Sequence, residues 1–186
     1  MKQKWKAGNM LYPLPAVMVS TRGKDGRDNI LTVAWAGTIC TNPAMLSISV
    51  RPERYSYKAL VETGEFVVNL TTRDLCFATD YCGVVSGADV DKFEKCQLTK
   101  VEADEVAVSM IEESPVNIEC RVVEEKKLGS HSMFIAEVLA VHADGKYMDE
   151  SGRFSLEKSN PIAYSHGTYF DLGEALGTFG YSVKKN

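Results

Sequence analysis

The chain has 186 residues, 45% of them hydrophobic, and a net charge of −4, which suits one domain spanning 1–186 with one substantial core. No Lys/Arg run reaches five residues, and no apolar stretch approaches the roughly 20 residues of a membrane span. No nucleic acid and no membrane is therefore expected as a partner. Cys40, Cys76, Cys82, Cys96 and Cys120 are odd in number and hold no C-x-x-C pair. With no secretory signal ahead of them, they read as reduced thiols in a cytoplasmic protein, without disulfide or zinc.

In chain order, "LYPLPAVMVST" is apolar with its prolines placed where a strand begins, and predicts a strand over Ala16 to Thr21. Asp25-Gly26 is a hairpin signal, after which "ILTVAWAGT" resumes the β pattern. "AMLSISV" is a further strand; "RPERYS" closes it, a short helix follows and ends at Gly64, and "EFVVNL" is a strand. "TRDLCFATDYCGVVSGADVDKFEKC" alternates poorly and predicts short helices and loops. From Val116, "VNIECRVVEEKKLG" and "SMFIAEVLAVHADG" predict an antiparallel meander, with Asn117, Glu119 and Arg121 on the solvent side of a half-buried strand. The glycine-rich end, "LGEALGTFGYSVKKN", predicts a loosely attached arm with a basic tail. Many short strands with few helices favour a small β-barrel or sandwich. No G-x-G-x-x-G or Walker loop occurs.

Several residues could carry chemistry. Alternation from Asn29 places Leu31, Val33 and Trp35 on one face; Ala36 and Gly37 beside the tryptophan leave room for a flat group, although a packed tryptophan with small neighbours is the commoner case. Arg51, Arg54 and Ser56 stand where a strand gives way to a helix, a place for a phosphate or carboxylate; equally, Ser56 could cap the helix and the arginines be solvated. Cys82, Gly83, Ser86, Gly87 and Lys92 combine a glycine loop with a point charge, yet an ordinary turn with an exposed lysine explains them too. His131, at a strand mouth, is by residue statistics more often an ordinary surface histidine. Ser130-His131-Ser132 is no Ser–His pair, because neighbours on a strand face opposite ways. Glu112, Glu113, Glu124 and Glu125 read as solvated.

Taken in order, "YPLPAVMVST", "NILTVAWAGT", "SVRPERYSYKAL", "GEFVVNL", "CGVVSGADVDKF", "GSHSMFIAEV" and "LGTFGYS" resemble the flavin reductase-like FMN-binding split-barrel family, with the flavoredoxin branch nearest. The resemblance implies a mainly β, antiparallel Greek-key split β-barrel with a few short helices, a homodimer, and noncovalent FMN near the subunit interface. It implies flavin-ring and polyol contacts from Asn29, Trp35 and Ala36, and a phosphate side made by Arg51, Arg54, Ser56 and Lys92. Cys82, Gly83, Ser86 and Gly87 would form the loop to that lysine, and His131 and Tyr164 the remaining ring contacts. No side chain is assigned a catalytic role, because the redox step belongs to the flavin. Expected partners are FMN with either a ferredoxin-like protein or NAD(P)H. Relatives that oxidise NAD(P)H commonly carry Gly-Asp-His where this chain has Gly129-Ser130-His131, which points away from direct use of nicotinamide. An NAD(P)H:flavin oxidoreductase serving a partner oxygenase, and a non-redox barrel for a phosphate-bearing ligand, stand as alternatives.

Overall fold

A computed structural model describes residues 1–183; the expected basic tail, Lys184 and Lys185, lies outside the described residues. The strands are β1 (Leu14–Pro15), β2 (Val17–Arg22), β3 (Asp28–Val33), β4 (Ala36–Cys40) and β5 (Met45–Val50), followed by helix α1 (Tyr55–Thr63) and β6 (Glu65–Asn69). Helices α2 (Cys76–Val84) and α3 (Lys92–Lys95) come next, then the short β7 (Lys100–Val101) and β8 (Met110–Ile111). The long β9 (Val116–Lys127) and β10 (Ser132–Ala143), then β11 (Ile162–Ser165) and β12 (Thr168–Asp171), complete the chain.

Local chemistry sets several boundaries. Between β2 and β3 the chain reverses at Gly26, whose positive φ of 78° suits a residue without a Cβ. Helix α1 stops where Gly64 turns left-handed and its N–H donates to the Leu60 carbonyl at 3.0 Å. Ser56 does not cap that helix. It is 1% exposed and accepts hydrogen bonds from Thr21 Oγ1 (2.9 Å) and Asn29 Nδ2 (2.8 Å).

Seven strands form one antiparallel sheet in the order β3-β2-β6-β9-β10-β5-β4. Its two outer strands are separated in sequence only by Ala34 and Trp35, so the sheet must curl until its edges meet. The Ser49 N–H, donating to the Trp35 carbonyl at 2.8 Å, extends the β4–β5 pairing back to Trp35. The interior is filled by Val19, Leu31, Ile48, Phe66 and Phe134, among others. Burying that apolar surface is the main stabilising term. The strand order departs from sequence order, as a Greek-key barrel requires.

Two expectations need correction. First, alternation does not run through Trp35: Leu31 and Val33 are buried, but the chain crosses the seam at Ala34 and turns Trp35 outward, 38% exposed. Second, the row Asn117–Glu119 is buried, since the segment carrying β7 and β8 folds over it and supplies hydrogen-bond partners. The expected antiparallel pairing of the two long segments holds as the β9–β10 hairpin, and β11 and β12 join β1 in a separate three-stranded sheet.

Helices α2 and α3 cover the outside of β2 and β3, packing Leu75, Cys82 and Phe93 on Met18 and Ile30. This approach is close. A Cβ added at Gly87 would collide with the amide oxygen of Asn29, 2.5 Å from its Cγ, and lie 2.8 Å from Tyr55 Cδ1. Asn29 cannot yield freely, being buried and bonded to Ser56. Gly87→Ala is therefore expected to lower the unfolding free energy by about 1–3 kcal/mol, the usual cost of overpacking. An unchanged urea midpoint would mean that Asn29 moves aside.

Candidate functional site

Strand pairing assembles the site. Ser132 of β10 lies opposite Val50 of β5, so the residues just outside the pair, His131 and Arg51, meet at the same end of the barrel. From Val50 the chain turns through Arg51–Arg54, closed by Arg54 N–H donating to the Arg51 carbonyl at 3.0 Å, and enters α1. Arg54 precedes the first helical turn in an extended conformation, and its Nη1 donates to the Gly83 carbonyl of α2 at 3.2 Å. One guanidinium thus ties the two helices together and keeps its other N–H groups for a ligand.

Between these elements lies a cleft of about 520 Å³ whose wall includes Trp35, Arg51, Arg54, Gly83, His131 and Tyr164. Its floor includes Leu31, Val33 and Val50. The Trp35 and His131 rings are parallel to within 5°, their centroids 6.2 Å apart, and so present flat faces at the cleft. Ser130 Oγ lies 2.9 Å from His131 Nδ1, which leaves Nε2 as the ring nitrogen without that contact. Arg51 shares its charge with exposed Glu53 at 3.0 Å. Tyr164 stacks obliquely between Tyr12 and Tyr169, and Tyr169 donates its hydroxyl to Asp80 at 3.2 Å. Burial, with the Asp80 charge adding to it, pushes the Tyr169 phenol above its ordinary range.

The other expected residues lie elsewhere. Ala36 is across Trp35, in an adjoining apolar recess of about 590 Å³ that the N-terminal residues Met10 to Tyr12 help to line. Asn29 and Ser56 belong to a separate groove that shares Arg54. Ser86 makes an ordinary turn, accepting from Ala88 N–H at 3.2 Å, and Gly87 is the packing glycine described above. Cys82 is in the core, where burial pushes its thiol up to about 12. Lys92 is 3% exposed, with Nζ donating to the carbonyls of Ile30 (2.7 Å) and Cys82 (2.8 Å). Burial pushes its ammonium below the ordinary value. It acts here as a strut between α3, α2 and β3.

Sequence reasoning did not select Asp80, Val84 or Tyr169, which line the cleft. For the first two a signal was present: Asp80, Gly83 and Val84 stand at i, i+3 and i+4, one face of a helix. A second polar cluster, Asp104, Glu119 and His142, has donor atoms within 4.8 Å of one another. Both Glu119 oxygens are already taken by N–H donors, so its geometry is that of a hydrogen-bonded anchor rather than a metal cage.

Residues 9–173 match the flavin reductase like domain. The chain belongs to this family. A protein of uncharacterised function from Archaeoglobus fulgidus is 36% identical over 72% of this chain and 75% of its own length. The flavoredoxin of Desulfovibrio vulgaris (Miyazaki F) superposes with a TM-score of 0.92 at 30% identity, over 99% of this chain and 100% of that one. A split-barrel protein from Shewanella frigidimarina, 20% identical with a TM-score of 0.81 over 91% of this chain and 86% of that one, shares the fold. The cleft is thus a flat-walled, apolar-floored recess with guanidinium groups at its edge.

Proposed function

We propose that this flavin reductase-like protein binds FMN noncovalently in the cleft and transfers electrons through it, as a flavoprotein of the flavoredoxin type. The observation that carries the reading is the pairing of parallel Trp35 and His131 rings with Arg51 and Arg54 on one wall. When bound, FMN supplies one- and two-electron chemistry. The chain's own residues do the rest: Trp35, His131 and Tyr164 form flat walls, the floor excludes water, and the two guanidiniums hold the phosphate. A homodimer is part of the proposal, supported by the large exposed apolar side chains of both terminal arms, Trp5, Leu11, Leu176 and Phe179. Among the described residues no helix is long and apolar enough to cross a membrane.

The test is direct. The purified protein should show flavin bands or take up FMN on titration; absence of both would sink the reading. Anaerobic addition of NADH, NADPH and reduced ferredoxin in turn then identifies the donor. Bleaching by a nicotinamide would assign the chain a flavin reductase role, and bleaching by ferredoxin alone an electron-transfer role. Arg54→Ala should weaken FMN by about 10- to 100-fold, the loss of a charged hydrogen bond worth about 1.5–3 kcal/mol. Arg51→Ala should cost less, because Glu53 already shares its charge. Unchanged affinity in Arg54→Ala, followed by flavin fluorescence, would move the phosphate away from this wall.

A further inference from the structure

The recess of about 590 Å³ across Trp35 is distinct from the cleft but shares Asn9, Trp35 and Ser49 with it. The outer face of the β4–β5 pair forms its floor. Gly37 stands opposite Ser47, and the Ser49 N–H donates to the Trp35 carbonyl, so Trp35, Gly37, Ser47 and Ser49 share one face. Ala36 and Ile48, the pair between them, pack into the barrel core instead. A residue without a side chain and two short ones thus leave a shelf beside the indole, and Met10 and Tyr12 wall it from the N-terminal arm.

The chemistry of the lining narrows the occupant. No residue that lines the recess carries a formal charge, so an ion entering it would give up water without gaining a counter-charge. Trp35 and Tyr12 favour a planar ring. Among the described residues the Ser47 and Ser49 hydroxyls have no hydrogen-bond partner within the protein. Two positions apart on one strand, they stand about 6–7 Å from each other, within reach of two carbonyl oxygens on opposite sides of one ring. We infer that the recess binds a neutral quinone, its carbonyl oxygens accepting from Ser47 and Ser49, as an electron acceptor across Trp35 from the cleft. Reduction of a quinone to its hydroquinone takes up two electrons and two protons, and reduced FMN releases two of each on returning to its oxidised form. The acceptor role rests on the cleft being the flavin site; binding of the ring does not.

The experiment uses the apoprotein carrying Trp5→Phe, which leaves Trp35 as the remaining one of two tryptophans. It is titrated with duroquinone, whose four methyl groups prevent addition to the thiols. Saturable quenching of Trp35 fluorescence is expected. A Cβ added at Gly37 meets nothing within 4 Å, so Gly37→Leu fills the shelf without straining the barrel. That variant should weaken duroquinone at least tenfold and leave FMN uptake and the far-UV circular dichroism unchanged. Ser47→Ala combined with Ser49→Ala should weaken it several-fold, and the tetramethylbenzoate anion should not compete. Quenching that does not saturate, full affinity in Gly37→Leu, or equal competition by the anion would overturn the inference. So would a lower native mass of Gly37→Leu in light scattering, which assigns the recess to contact with a second copy of the chain. The acceptor role has its own readout. FMN-loaded protein reduced anaerobically should regain its oxidised visible band when duroquinone is added, at least tenfold more slowly in Gly37→Leu; equal rates would remove that role. Failure of FMN to bind would instead overturn the flavin reading, and quenching in the apoprotein would still decide the recess.

Discussion

Lys92→Ala is expected to lower the unfolding free energy by about 3–5 kcal/mol, because it strands two buried carbonyls and opens a cavity. As a sequence element, Lys92 looks like a phosphate charge at the end of a glycine loop. In the fold its ammonium is buried and divided between Ile30 and Cys82 carbonyls on two different elements. Lys92→Met, which retains the aliphatic stem, should recover packing but not the bonds and fall between the two. Because burial depresses the folded-state value, the unfolded chain binds more protons in the alkaline window between the folded and unfolded values. The parent should therefore gain stability as pH rises through that window, and Lys92→Met should not. Urea denaturation at several pH values measures both effects. The Arg54→Ala pattern is the opposite, with FMN affinity falling and the midpoint moving little. If Lys92→Ala kept its midpoint and lost FMN, the ammonium would belong to the phosphate after all.

Where local backbone chemistry decides, the sequence is readable: the Asp25-Gly26 turn, the Gly64 helix stop and the strands from Val17 to Asn69 all follow from residues near one another. The family resemblance likewise carries the antiparallel barrel. What alternation cannot see is a crossing from one sheet edge to the other, which is how Trp35 leaves the face of Val33. Nor can it see a covering segment. Glu119 sits in a row that reads as solvated, and only the fold lays residues 104–106 across it. The cleft shows the same division. Trp35, Arg51, Arg54, Gly83, His131 and Tyr164 are recognisable in order along the chain, whereas Tyr169 joins through the β11–β12 hairpin and Asp80 through α2 packing. Lys92 follows Asp91, whose side chain caps α3 by accepting from Phe93 and Glu94 N–H groups; that local sequence is silent on the docking that buries its neighbour.

Glu119→Gln should destabilise the protein at neutral pH by about 2–4 kcal/mol and flatten the acid limb of its stability curve. The carboxylate is 0% exposed: Oε1 accepts from Asp104 N–H (2.9 Å) and contacts His142 Nε2 (2.6 Å), while Oε2 accepts from Glu105 (2.7 Å) and Val106 (3.0 Å) N–H groups. Burial alone would raise its titration, but the Asp104 N–H, His142 and then the Glu105 and Val106 N–H groups outweigh it and hold the carboxyl below the ordinary range. At Asp28, burial is again opposed, here by Arg22 bonds of 2.8 and 3.0 Å, by Ser109 and by Lys100, and the net direction is the same. A carboxyl depressed on folding contributes stability that is complete above the unfolded value, about 4.3 for Glu, and is lost as pH falls through the folded value. The parent should thus lose stability steeply below that point, while Glu119→Gln, retaining the Asp28 contribution, loses less, so the two curves converge in acid. The Gln amide can replace one acceptor oxygen and not both. The backbone amides of residues 104–106 should then exchange faster at neutral pH, together with the cover they hold in place, Val106, Val108 and Met110 on Val67. Parallel stability curves with unchanged amide exchange would mean that the apolar contacts alone hold this segment over β6 and β9.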